Sequence, residues 1–205
     1  MGGLLDRAAR HSRNPARRPS QGRHAMTDTI ADLAILAPDT LRIVRILDAP
    51  PATVWRYLVE ADLRRKWFAG GTDARAGAPV KLVFDHDNLS ADAVPYPEKY
   101  AKWQGAVGRE RVVEYDPPHV FAISWDDGKE GTARFELFAE GADKTRLVLT
   151  HSGITGPAPM ANFGGGWHSH FAVLQGLLAG QPVRDFWALH AVSEAEVAAI
   201  LQARG

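Results

Sequence analysis

Thr40–Leu47, TLRIVRIL, alternates apolar and polar positions and is rich in β-branched residues, the signature of a half-buried strand. The period then changes. Asp48-Ala-Pro-Pro opens a helix, PATVWRYLV, with Val54, Trp55 and Leu58 on one face and proline tolerated in its first turn. A second short helix, Ala61–Phe68, is stopped by Ala-Gly-Gly. Period two returns with Val80, Leu82, Phe84 and His86 on one strand face, which sends His86 inward and both Asp85 and Asp87 outward. A loop rich in proline and charge, Asp87–Trp103, precedes four further strands, Arg109–Tyr115, His119–Trp125, Thr132–Ala139 and Thr145–Thr150. Asp116-Pro-Pro, Asp126-Asp-Gly-Lys and Glu140-Gly-Ala-Asp supply the turns between them.

The stretch Gly164–Gly180, GGGWHSHFAVLQGLLAG, reads as a long helix, with the glycines letting the chain turn tightly into it. A long helix after an antiparallel meander must bury its apolar stripe on the sheet, so the fold class is α+β. Three segments follow: an N-terminal extension over 1–38, a ligand-binding domain over 39–182, and a tail over 183–205. In the tail, Ser193 and Glu196 read as a capping box for a last short helix, and Phe186 and Trp187 dock it to the body.

Composition narrows the chemistry. The 205 residues hold no cysteine, which removes disulfides, thiolate zinc sites and thiol nucleophiles and is compatible with a cytoplasmic protein. No apolar run of about 18 residues is present to span a membrane. The whole chain balances 24 basic against 24 acidic residues, but residues 1–25 hold six arginines and one aspartate, which leaves the remainder acidic by five. An acidic body gives nucleic acid no electrostatic reason to bind. The arginine-rich head lacks the apolar core of a secretory signal. It reads as a disordered extension, translated upstream of a start at Met26, rather than as a transit peptide or a nucleic-acid arm.

The glycine triplet is no phosphate loop, because neither lysine nor hydroxyl follows at the required spacing. His168 and His170 lie about 200° apart around a helix axis and cannot chelate one ion, so no metal or cofactor is assigned. The wheel instead gathers Trp167, Phe171, Leu174 and Leu178 on one side, with His170 at its edge. Phe121, Ile123 and Trp125 form one strand face and Phe135 lies on another, while Trp67 and Trp103 fall near the sheet ends. A curved sheet closed by one helix often encloses more room than its side chains fill, and the remainder is a ligand cavity. The expected ligand-binding set is Tyr57, Trp67, Phe84, His86, Trp103, Phe121, Ile123, Trp125, Phe135, Trp167, His170, Phe171, Leu174 and Leu178, with Ser124 as a further polar group. His86 and His170 are the candidate acid–base residues. His151-Ser152 lacks the nucleophile elbow of a serine hydrolase.

These segments also carry a family resemblance. PATVW with ADLRRKWF, GRERVVEYDPPHVFAISW, ARFELFAEGADKTRLVLTHSGI and GGGWHSHFAVLQGLLAG, taken in order, resemble the Hsp90-ATPase-activator-homologue family of the START/Bet v 1-like (SRPBCC) superfamily. FWALH resembles the tail of one bacterial branch. The resemblance covers about residues 40–182 and implies a helix-grip fold, an antiparallel sheet wrapped around a long C-terminal helix with an apolar cavity between. It implies a small hydrophobic guest, lipid-, aromatic- or polyketide-like, bound without catalysis. The alternative is a cyclase or hydrolase acting on such a molecule. An Hsp90-type chaperone partner and a stress-related adaptor role are also implied, although the separate N-terminal domain of the co-chaperones has no counterpart. The long loop Asp87–Trp103 suggests a lid, and the Phe186-Trp187 tail caps its own domain or that of a homodimer partner.

Overall fold

The computed structural model describes residues 32–203, so the arginine-rich head lies outside the described residues. Eight strands form one antiparallel sheet: β1 (Leu33–Ala37), β2 (Thr40–Leu47), β3 (Gly70–Gly71), β4 (Pro79–Val83), β5 (Val107–Asp116), β6 (Val120–Ser124), β7 (Thr132–Ala139) and β8 (Thr145–Ser152). Their order across the sheet is β1-β2-β8-β7-β6-β5-β4-β3. Helices α1 (Pro51–Val59) and α2 (Ala61–Arg64) lie between β2 and β3, and α3 (Pro157–Leu178) and α4 (Phe186–Gln202) follow the sheet. This is the α+β helix-grip arrangement that the resemblance implied.

Register builds the core directly from the period-two pattern. Ile43 pairs with Leu149, Leu149 with Phe135, and Phe135 with Phe121, giving one inward row across β2, β8, β7 and β6. The next inward row is Leu41, His151, Ala133 and Ile123. All eight residues are buried. Helix α3 lays Met160, Trp167, Phe171 and Leu174 over these rows. Burying a side chain of this size contributes about 1.5–3 kcal/mol, so the inner rows and the helix stripe are the main source of stability.

The structure changes the sequence reading at six places. Helix α2 ends at Arg64 and not at Phe68, and β4 ends at Val83, so Phe84 and His86 follow the strand and do not lie on it. A strand, Leu33–Ala37, pairs with β2 where no strand was expected. Helix α3 begins at Pro157, not at the glycine triplet. Pro157 and Pro159 sit in its first turn, where no intrahelical N–H is required. The glycines are therefore inside the helix, and two of them serve packing. A Cβ on Gly164 would stand 2.7 Å from Val197, and one on Gly165 would stand 2.9 Å from the Glu194 backbone. They let α4 cross α3 at close range.

Helix α4 is correspondingly longer than expected, 17 residues, and is capped by the Asp185 carboxylate accepting from the Ala188 N–H. Ser193 is not its cap. It is buried mid-helix, donates to the Leu189 carbonyl and accepts from His168 Nδ1. One turn away the roles reverse: Ser169 of α3 gives its hydrogen to the Gly165 and Gly166 carbonyls and accepts from His190 Nδ1 of α4. The antiparallel pair α3–α4 is thus joined by small residues and two reciprocal histidine–serine bonds.

Candidate functional site

Two devices place the side chains that face the open end of the sheet. The first is Arg64. Its buried guanidinium donates to the carbonyls of Leu58, Val59, Ala69, Gly70 and Thr72, closing the chain around the segment Trp67-Phe68. Burial draws its pKa down to about 10, which leaves it charged at neutral pH. The second is the loop before β5. Ala91 and Asp92 donate their N–H groups to Val183 and Arg184, and the Ser90 hydroxyl accepts from the Phe186 N–H. Glu98–Trp103 forms a short 3₁₀ helix whose Tyr100 stacks on Trp187 at 4.9 Å and donates to Glu194. The expected lid loop is therefore fixed to the start of α4, and together they form one wall.

Between that wall, the β4–β5 edge and α3 lies a cleft of about 650 Å³. Phe68, Phe84, Trp103, Trp125, Phe163 and Trp167 give it an aromatic lining, and Phe186 and Trp187 close one end. Trp125 meets Trp167, Phe163 and Phe68 at 5.3, 5.6 and 5.9 Å between ring centroids. Gly166 faces the cleft, and a Cβ built there would meet nothing within 4 Å.

Three histidines share the closed end. His170 donates from Nδ1 to the Trp67 carbonyl at 2.7 Å, because a carbonyl can only accept. Its Nε2 is therefore the unprotonated nitrogen, and it has no hydrogen-bond partner among the described residues. His86 shares a 2.9 Å hydrogen bond with the Tyr96 hydroxyl, and its ring lies 5.5 Å from that of His170. Asp85 and Asp87 are exposed on either side of the buried His86, although all three lie beyond the end of β4. His190 sits beyond Phe186, with Nε2 3.6 Å from Glu194. Burial pushes the pKa of His86 down to about 4 and holds His170 well below the ordinary range. Desolvation likewise lowers His190, against the opposing pull of Glu194. At neutral pH these rings act as polar, uncharged groups.

At the other end stands Glu110, buried on the inward parity of β5. Its carboxylate accepts from the Ser124 hydroxyl and the Asp126 N–H, each at 3.3 Å. Asp126 and Asp127 adopt φ values of 49° and 53°, a left-handed turn costing about 1–3 kcal/mol per residue that aims the backbone at this carboxylate. Burial is the main influence on Glu110 and raises its pKa. No group of three or more histidine, aspartate or glutamate side chains among the described residues is arranged to hold a metal ion.

A protein-family model for "Activator of Hsp90 ATPase homolog 1-like protein" matches residues 48–179. A protein from Bordetella parapertussis, known from a solution NMR structure, is 37% identical, with 80% of this chain and 87% of that one covered and a TM-score of 0.68. The chain belongs to the Activator of Hsp90 ATPase homolog 1-like family. CalU16 from Micromonospora echinospora shares the fold at 21% identity and TM-score 0.55, over 79% of this chain and 88% of its own. A Plasmodium falciparum Hsp90 activator shares it at 16% identity and TM-score 0.51, over 70% of this chain and 98% of its own. Among curated proteins none matches.

Within this family fold, six of the expected ligand-binding residues do line the cleft: Phe84, His86, Trp103, Trp125, Trp167 and His170. The others lie elsewhere. Trp67 stacks on Phe171 at 5.7 Å and donates its indole N–H to the Tyr57 carbonyl. Phe121, Ile123, Phe135, Phe171 and Leu174 are buried in the core rows, and Tyr57 and Leu178 pack partly buried at its margin. His151 is a structural group: it donates from Nε2 to the Glu130 carbonyl and accepts the Trp167 indole N–H at Nδ1.

Sequence reasoning passed over Phe68, Tyr100, Glu110, Phe163, Phe186, Trp187 and His190 as lining residues. For Glu110 a signal existed, because it shares the inward parity of Val112 and a carboxylate on an apolar parity is anomalous. Phe186, Trp187 and His190 lie outside the span that the family model matches, so α4 completes the cleft from beyond that span.

Proposed function

We propose that this family member is a non-catalytic binder of a small, mostly apolar molecule held in the cleft between the β4–β5 edge, α3 and α4. The observation that carries this reading is the cleft itself, about 650 Å³ with largely aromatic walls and a minority of polar side chains, among them His86, Glu110 and His170, which is the size and character of a site for a drug-sized ligand. His170 Nε2 offers such a guest one hydrogen-bond acceptor, and a hydroxyl or N–H placed there would fix its orientation. The same geometry weighs against proton-transfer chemistry. A general base works best with a pKa near the operating pH, whereas burial holds His86 and His170 far below it.

Gly166→Leu tests this reading. The new side chain would project into space that is open in the structure, filling the cleft while leaving the sheet untouched. The neutral fluorescent probe N-phenylnaphthylamine should bind the native protein and lose at least about tenfold in affinity, roughly 1.4 kcal/mol, in the variant. Absence of probe binding to the folded native protein, or equal binding to both, would count against the proposal.

A further inference from the structure

The β5 wall carries a group that an apolar guest leaves unused. Glu110 is a buried carboxylate held by two 3.3 Å hydrogen bonds, longer than charge-assisted bonds usually are, with the Asp127 N–H also directed at it. No lysine or arginine among the described residues pairs with it. Two residues away on the same strand face is Gly108. Its φ does not fall in the left-handed region, so the backbone does not require glycine there. A Cβ at this position would stand 3.3 Å from Glu110 Oε1 and 3.6 Å from Cε2 of the Phe84 ring. The missing side chain therefore leaves a gap no larger than a methyl group, walled by the carboxylate, Leu82 and the aromatic ring, in the lining of the cleft. Close approach of a ligand or of another backbone is one reason for a glycine inside a strand.

The surroundings favour positive charge. Trp103 and Trp125 line the same cleft; Lys102, the single lysine or arginine among the lining residues, holds its ammonium 5.2 Å from the Trp103 ring centre and is set against three lining carboxylates, Glu110, Asp126 and Glu130. Asp126 and Glu130 add negative charge to this end, which disfavours a ligand carboxylate. The buried His170, whose Nδ1 is bonded to the Trp67 carbonyl, lines the same cleft. We propose that Glu110, in the gap left by Gly108, anchors the protonated nitrogen of an amine-bearing aromatic ligand. This rests on the reading of the cleft as a small-molecule site and adds the charge that its ligand must carry.

Two probes of one shape separate the two ideas: naphthylethylamine and the corresponding naphthylethanol, titrated by calorimetry near neutral pH. The amine should bind the native protein about tenfold more tightly than the alcohol. Glu110→Gln should abolish that preference by weakening the amine alone, with the alcohol changed less than about twofold. Gly108→Ala, which keeps the carboxylate but crowds the gap, should also reduce the preference, and it carries the test if Glu110→Gln does not fold. Equal binding of amine and alcohol to the native protein overturns the amine assignment and leaves the cleft reading standing. So does a preference that neither substitution changes. Failure of both probes to bind overturns both.

Discussion

Helix α3 faces two kinds of interior. Over β2, β8 and β7 its partners are Ile43, Leu149, Phe135 and Leu147, and the space is filled by Phe171, Leu174 and Trp67, the two rings stacked at 5.7 Å. Toward β5 the same helix faces the cleft, and there the inward positions include Gly108 on the strand and Gly166 on the helix. Neither glycine has a positive φ, so neither serves a turn. The two ends differ less in backbone than in the volume delivered to matching positions. A void in this fold is a choice of side chain at a few inward sites, and aromatic rings that meet one another around it become ligand-facing walls.

The largest expected effect falls at the packed end. Phe171→Ala removes a fully buried ring from contact with Trp67, Trp167 and Phe135. It should cost about 3–5 kcal/mol of unfolding free energy, measured by denaturant titration. Probe affinity, extrapolated to native conditions, should change little. If instead Phe171→Ala left stability intact and destroyed probe binding, the division into a packed and an open end would be wrong.

Acid should weaken both ends, through different histidines. His151 is held between the Glu130 carbonyl and the Trp167 indole in the packed half, and His86 faces the cleft. Burial lowers each to about 4. With folded-state values below the unfolded 6.5, the unfolded chain binds the proton more readily, so stability falls as pH drops through the window from 6.5 to 4. Each histidine should remove on the order of 3 kcal/mol by pH 4. Imidazole NMR near neutral pH should find His151 protonated on Nε2 and His170 on Nδ1, following their carbonyl partners. A charged ring at either position near neutral pH would contradict the bonding described.

The packed end was legible in the sequence and the open end only partly so. Period two exposed the inward rows of β2, β7 and β8 because apolar residues recur there at every second position, interrupted by the buried Arg45 and His151, while β6 reads as a nearly continuous apolar run. It also turned His86 inward correctly, although that residue follows the strand. It could not say which aromatic residues would stack on one another and which would be left facing space, since that depends on the distance between elements. Trp67 and Phe171 therefore entered the expected site although they fill the core, while Phe186 and Trp187 were read as a docking tail although they close the cleft. Pro157 and Pro159 concealed the first two turns of α3, and Ser193 imitated a cap because a serine with a glutamate three residues on is also compatible with a helix interior.

The finest test lies in two adjacent glycines. Gly165 and Gly166 have the same helical backbone, so replacing either by alanine brings the same gain in helix propensity, about 0.5–1 kcal/mol. Their surroundings differ. At Gly165 the methyl group would press on the Glu194 backbone at 2.9 Å, which cannot swing aside as a side chain can, and α4 would have to move away from α3. Overpacking of this kind costs about 1–3 kcal/mol, enough to cancel the propensity gain and leave a net loss. At Gly166 the methyl meets open space, so the gain should survive and raise the Tm by about 2–3 °C. Thermal unfolding of the two single variants side by side measures the difference directly. Opposite signs place the closed helix contact and the open cleft on neighbouring residues of one helix turn; the same sign for both would mean that α4 yields as readily as the cleft does.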